Sequence, residues 1–136
     1  MIESKNFIIT YEYEKVFLNF KNEDKSILIG EFYGNPYTAI ISKDEDFCVV
    51  GGEGIIIYYL NEPYLEYKNN YKTNEQWKEW GRDNTDSIVW IEKIEQIGNK
   101  IIRLTSENKE QFILNVAQFK EAMEKLENAT GKNFGK

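Results

Sequence analysis

Histidine is absent from the 136 residues, and cysteine occurs once. Without histidine the chain lacks the side chain that titrates near neutral pH, the commonest metal ligand, and the base of every Ser-His or Cys-His nucleophile pair. The lone Cys48 excludes an internal disulfide and points to a reducing compartment. Its neighbours Phe47 and Val49 are apolar and the nearest cation, Lys43, lies across an acidic turn. Cys48 therefore reads as an inert core thiol, since activation needs an electropositive surrounding. Two prolines and nine glycines are too few for a disordered or low-complexity chain. No apolar run is long enough to cross a bilayer, the longest being Ile55 to Leu60. Met1-Ile2-Glu3-Ser4 leads straight into a strand-like run, without the basic and apolar regions of a signal peptide. The expectation is a cytoplasmic protein.

What is present is apolar, aromatic and acidic. Hydrophobic residues make up 41% and aromatics 15%, enough for a single domain over 1–136 to bury a core unaided by disulfides or a structural metal. The net charge of −6 is unevenly spread. Between Glu23 and Glu66 stand nine carboxylates (Glu23, Asp24, Glu31, Asp44, Glu45, Asp46, Glu53, Glu62, Glu66) against Lys25 and Lys43, a local net of −7. The rest of the chain sums to +1. With no basic stripe to meet phosphates, nucleic acid and anionic membrane are disfavoured as partners. A basic protein is favoured, held on an acidic rim that folding is expected to gather on one solvent-facing patch.

The first sixty residues read as a β meander. Phe7 to Tyr13, Val16 to Phe20, Ile27 to Tyr33, Tyr37 to Ile41, Phe47 to Val50 and Ile55 to Leu60 are rich in β-branched and aromatic residues, separated by polar or glycine turns. The near-continuous apolar character of the last two runs predicts strands covered on both faces over part of their length. Thr73 and Gln76 have capping-box spacing and Gly81 can end a helix, which predicts a short inserted helix over Asn74 to Trp80. Ile88 to Ile97 and Ile101 to Thr105 flank a Gly98-Asn99 turn and read as a hairpin, although their alternation is not clean. Phe112-Ile113-Leu114 is a last strand. Asn115 with Gln118 then opens an amphipathic helix whose Phe119, Ala122, Met123 and Leu126 share a face, up to Gly131. The expected fold class is α+β: a mainly antiparallel sheet of about seven or eight strands, a short inserted helix and a C-terminal amphipathic helix.

Few residues offer chemistry. Asp44-Glu45-Asp46 could supply oxygen ligands to Ca²⁺ but lacks the later glycine and terminal glutamate of an EF-hand, so a solvated hairpin tip competes with that reading. Gly51-Gly52-Glu53-Gly54 has no following Lys-Ser/Thr pair or helix, and Glu53 would repel a phosphate; a tight turn or bulge explains it. Carboxylate pairs for glycoside hydrolysis occur in any acidic chain and single out no residue. Neither catalysis nor a cofactor nor a metal is expected. Trp77 and Trp80, three apart on the predicted helix, share a face that is either core or an interface anchor. Tyr58 and Tyr59 point to opposite faces of a strand. Tyrosines among carboxylates suit Lys- and Arg-rich partners through cation–π contacts and charged hydrogen bonds.

From Gly30-Glu31-Phe32-Tyr33-Gly34-Asn35-Pro36-Tyr37-Thr38-Ala39-Ile40-Ile41 on through Asp46-Phe47-Cys48-Val49-Val50-Gly51-Gly52-Glu53-Gly54-Ile55-Ile56-Ile57-Tyr58, the chain resembles bacterial immunity proteins, the antidotes encoded beside polymorphic or contact-dependent toxins. The resemblance covers about thirty residues and lies in a Tyr-Gly-x-Pro turn, a hairpin and a glycine turn before an aliphatic-aromatic strand. It implies an inhibitor that occludes one cognate toxin domain, often a nuclease with a basic surface, and it carries over no catalytic residue. The contact set expected for such a partner is Asp44, Glu45, Asp46 and Glu53, with Tyr33, Tyr58, Glu62 and Tyr64 beside them. The alternative is a small-molecule binder whose sheet curves around an aromatic-lined cavity. Open sheet edges also allow pairing of two copies, though nothing in the sequence singles out a homo-oligomer.

Overall fold

The computed structural model describes residues 2–69, 74–82 and 88–118. Eleven strands run through them: β1 (Ile2–Glu3), β2 (Phe7–Glu12), β3 (Lys15–Phe20), β4 (Lys25–Glu31), β5 (Thr38–Ile41), β6 (Phe47–Gly52), β7 (Gly54–Tyr59), β8 (Trp77–Trp80), β9 (Ile91–Gln96), β10 (Ile101–Ser106) and β11 (Gln111–Asn115). All pair antiparallel, in three sheets ordered β1-β2-β3-β4, β5-β6-β7-β8 and β11-β10-β9.

The second sheet is the middle of three layers, and the apolar runs of β6 and β7 are the reason. Side chains alternate across a strand, so a strand apolar at every position needs a core on each face. Cys48, Val50, Ile56 and Tyr58 face a first core completed by Phe7, Ile9, Val16, Leu18, Ile27 and Ile29 of the first sheet. Phe47, Val49, Ile55 and Ile57 face a second core shared with Ile91, Ile94, Ile102, Leu104 and Leu114 of the third. Every residue of β6 is buried. Full burial of one such aliphatic side chain contributes about 1.5–3 kcal/mol.

The expected α+β class is corrected to all-β among the described residues, and the strands exceed the seven or eight expected. The segment expected to be an inserted helix contains β8. Of the capping pair, Thr73 lies outside the described residues and Gln76 is used otherwise. Asn74 Oδ1 does accept the N–H groups of Gln76 and Trp77, but Gln76 turns inward. There it takes the Leu65 N–H on Oε1 and donates Nε2 to the carbonyls of Tyr59 and Asn61. The i, i+3 tryptophans reflect burial on both sides of a strand: Trp77 enters the first core, ring against Tyr67 at 5.2 Å. Trp80 packs on the second, against Phe112 at 4.8 Å. Gly81, with φ +70°, follows the strand. The expected C-terminal helix lies outside the described residues apart from its opening, where Asn115 Oδ1 accepts the N–H groups of Ala117 and Gln118.

The Gly98-Asn99 turn joins β9 to β10 as expected, and a register shift at Thr105/Ser106 accounts for the irregular alternation. Hairpin connectivity gathers the turns at two ends of the layers. At one end lie the turns 4–6, 21–24 and 42–46 and the start of the β7–β8 connection, where Leu60 N–H donates to Asp46 O. At the other lie 13–14, 32–37 and Glu53, where Phe32 N–H donates to Glu14 O and Tyr37 N–H to Gly51 O.

Candidate functional site

The expected contact residues divide between these two ends. Strand β6 carries the chain from Asp46 to Glu53, a span of about 23 Å at about 3.3 Å per residue. Asp44, Glu45, Asp46, Glu62 and Tyr64 stand at one end; Tyr33 and Glu53 stand at the other. The single acidic patch expected of folding is corrected accordingly.

At the first end, Tyr64 is half-buried with its ring edge-on to Phe20 at 4.9 Å and tilted against Phe7 at 6.4 Å. The charges of three carboxylates from three separate turns act on its hydroxyl: Glu62 beyond β7, Glu45 at the β5–β6 tip and Glu23 after β3. Burial raises the pKa of the Tyr64 hydroxyl first, and the charges of Glu62, Glu45 and Glu23 raise it further. Glu23, Asp44 and Glu62 are exposed. Lys25 lies with Nζ 4.9 Å from the Phe20 ring centre and 5.8 Å from that of Tyr64, so these ring faces already accept a cation from within the chain.

Two of the acidic residues here are less free than expected. Glu45, at φ +57°, ties the tip to the β1–β2 loop: Oε2 accepts from the Ser4 hydroxyl and from Asn6 N–H at 2.8 Å, and Oε1 from Asn6 Nδ2 at 2.7 Å. Desolvation raises its pKa, but these hydrogen bonds and Lys5 outweigh it and the carboxyl is held below the usual range. Asp46 is paired with Lys100. Such an exposed pair is worth at most about 1 kcal/mol, yet it cancels one negative charge of the rim.

Tyr58 is corrected from contact residue to core residue. It is fully buried and its hydroxyl donates to Leu65 O at 2.6 Å. Glu53 is corrected likewise, being 3% exposed. Its Oε1 accepts the Tyr33 N–H at 2.8 Å and lies 3.3 Å from a terminal guanidinium nitrogen of Arg82. That arginine, 5% exposed, also donates to Glu31 O at 2.7 Å, stacks on the Phe32 ring at 4.5 Å and has Nε 3.5 Å from Glu79 Oε1. Tyr67 donates its hydroxyl to the same Glu79 oxygen at 3.0 Å. Two carboxylates thus share one buried cation. Burial raises the Glu79 pKa first, Arg82 and Tyr67 pull it down, and Glu53 raises it again, with a net rise. Of the residues expected at this end, only Tyr33 is on the surface, at 72% exposure.

The thiol of Cys48 faces the first core, and burial pushes its pKa up to about 12, as expected for an inert cysteine. Tyr58, Tyr67 and Trp77, the aromatics that a small-molecule cavity would draw on, are packed together in that core. Among the described residues no group of three or more Asp, Glu or Cys side chains is placed to hold a metal ion, and of Asp44-Glu45-Asp46 two are engaged otherwise, Glu45 with Ser4 and Asn6 and Asp46 with Lys100.

Sequence reasoning missed Phe20, Lys25 and Arg82. Arg82 had one available signal: it is one of only two arginines in a lysine-rich chain, and arginine is the cation suited to a buried fork of acceptors. No protein-family model, curated protein or solved structure matches this chain.

Proposed function

We propose that this chain is a non-catalytic binder of the immunity type, which captures a basic protein domain (a cognate toxin) at the end of the layers that carries Tyr64. The observation that supports this most is that the charges of Glu62, Glu45 and Glu23, carried by three turns that follow paired strands, all act on one half-buried tyrosine. Carboxylates preset around an aromatic face attract a lysine or arginine without first having to be ordered, which speeds encounter and slows release. Lys25 over Phe20 and Tyr64 illustrates the pose that a partner's cation would take. Asp44 extends the rim. The exposed Tyr33 at the far end plays no part in this contact.

The test is paired affinity purification from the native host, with the wild-type chain and the double variant Glu23→Lys, Glu62→Lys as baits. Both side chains are exposed, so reversal leaves the cores untouched. The expected result is a partner of high isoelectric point held by the wild type, released by added salt and lost from the variant. A partner retained equally by both baits, or one that is acidic, overturns the proposal.

A further inference from the structure

We propose that the outer edge of β11 is a self-pairing surface, and that two copies of the chain join there as an antiparallel dimer with the third sheets continuous across it. An exposed strand edge invites pairing unless something blocks it, and the other edges each carry a block. Strand β1 is two residues long. The edge of β4 is covered by the β7–β8 connection, with Tyr67 N–H donating to Leu28 O. Strand β5 is uncharged but short, with Ala39 buried and its end tied to the third sheet through Lys43 N–H on Gln96 Oε1. Strand β8 carries Lys78 and Glu79, and β9 carries Glu92, Lys93 and Glu95 and is paired across a bulge. Gln111–Asn115 has no charge, no proline and an unbroken register with β10.

The direction of its free groups follows from the ladder. Ser106 N–H donates to Glu110 O and Val116 N–H to Lys100 O, so residues 110 and 116 are turned toward β10. Hydrogen bonding alternates along an antiparallel strand. Phe112 and Leu114 therefore bond inward, while the N–H and C=O groups of Gln111, Ile113 and Asn115 point away from β10. Leu114 is buried in the second core and Phe112 packs against it, which fixes the strand, while Ile113 is 50% exposed.

These outward groups match themselves. In an antiparallel pair centred on Ile113, Ile113 faces its own copy and Gln111 faces Asn115, so each outward residue meets an outward residue. Each of those pairs exchanges two hydrogen bonds. Lys109 falls opposite Ala117 and Glu110 opposite Val116, so no like charges oppose one another. Among the described residues the pairing joins one five-residue strand from each copy, a small contact that makes the dimer weak and concentration-dependent.

Sedimentation equilibrium of the full chain from micromolar to millimolar concentration, with amide hydrogen exchange at both ends of that range, tests the proposal. The expected result is a monomer–dimer equilibrium in which the amides of Gln111, Ile113 and Asn115 gain protection as concentration rises. Those of Phe112 and Leu114 are protected throughout. Ile113→Pro removes an outward N–H, and Ile113→Lys sets two like charges face to face. Each is expected to raise the dissociation constant about tenfold or more. Retained protection at Leu114 shows that a variant is folded. A chain monomeric across the whole range, or a dimer that both folded variants form as readily as the wild type, overturns the proposal.

Discussion

Replacing Arg82 with methionine is the sharpest test of how the far end of the layers is held. Methionine keeps an apolar stem over the Phe32 ring but removes the cation shared by Glu53 and Glu79. Both carboxylates are at least nine-tenths buried as side chains, so neither can turn to water for compensation. Deleting one partner of a buried pair costs about 3–5 kcal/mol, because the other charge is left behind. Against a typical domain stability of about 5–15 kcal/mol, that is a large share. The loss depends on pH in a definite direction. The Glu79 pKa is raised in the fold even with Arg82 present, so its contribution is complete below the ordinary carboxylate range and fades as pH rises through the folded value. Arg82 holds the Glu79 pKa down, so removing it raises that pKa further. The variant is therefore expected to be close to wild type in mild acid and several kcal/mol weaker at neutral pH. Urea unfolding followed by tryptophan fluorescence, repeated across pH, measures this, with an unchanged slope showing that the denatured state is the same. A loss at neutral pH under about 1 kcal/mol that is also flat with pH would refute the shared-cation account.

Three further outcomes follow from the same geometry. Glu45→Ala removes the acceptor that ties the β5–β6 tip to Ser4 and Asn6 and is expected to cost about 1–3 kcal/mol at neutral pH. Because that carboxyl is held below its usual range, the wild-type advantage should persist above that range and vanish as pH falls through the folded value, read as the difference between two acid-unfolding curves. At Gly54, φ is +67° and an added Cβ would meet Trp80 O at 2.4 Å and Gly81 backbone at 2.6 Å. Gly54→Ala is expected to lower stability by about 3 kcal/mol or more in thermal unfolding. Cys48 should be silent to a thiol reagent in the native protein and react at the rate of unfolding, since the thiolate is suppressed and enclosed.

Much of the middle layer was legible because its signal is local. The apolar runs at Phe47 to Val50 and Ile55 to Leu60 predict strands covered on both faces over part of their length, and two cores cover them, β6 along all of its length. The same two-sided burial defeated the reading of Trp77 to Trp80. A short strand between two cores shows no period of two, and two tryptophans three apart mimic a helical face. The candidate site was legible in its parts, Glu45, Glu62 and Tyr64, because acidic turns and tyrosines are visible in a sequence. Its assembly was not. Glu23 and Lys25 join it through the pairing of β3 with β4, and Phe20 through a ring contact more than forty residues away in sequence. Glu53 looked like a surface carboxylate because its cation, Arg82, comes 29 residues later and meets it only in the folded chain.

The central claim is that fixed negative charge around Tyr64 draws in a basic partner. The rate of association with that partner, measured by stopped flow over a range of ionic strength for the wild type and for Glu23→Lys, Glu62→Lys, tests it most directly. The account predicts a wild-type rate that falls steeply with salt, and a variant slower by about tenfold or more with a much flatter dependence. Equal rates and equal salt slopes for the two proteins would contradict it.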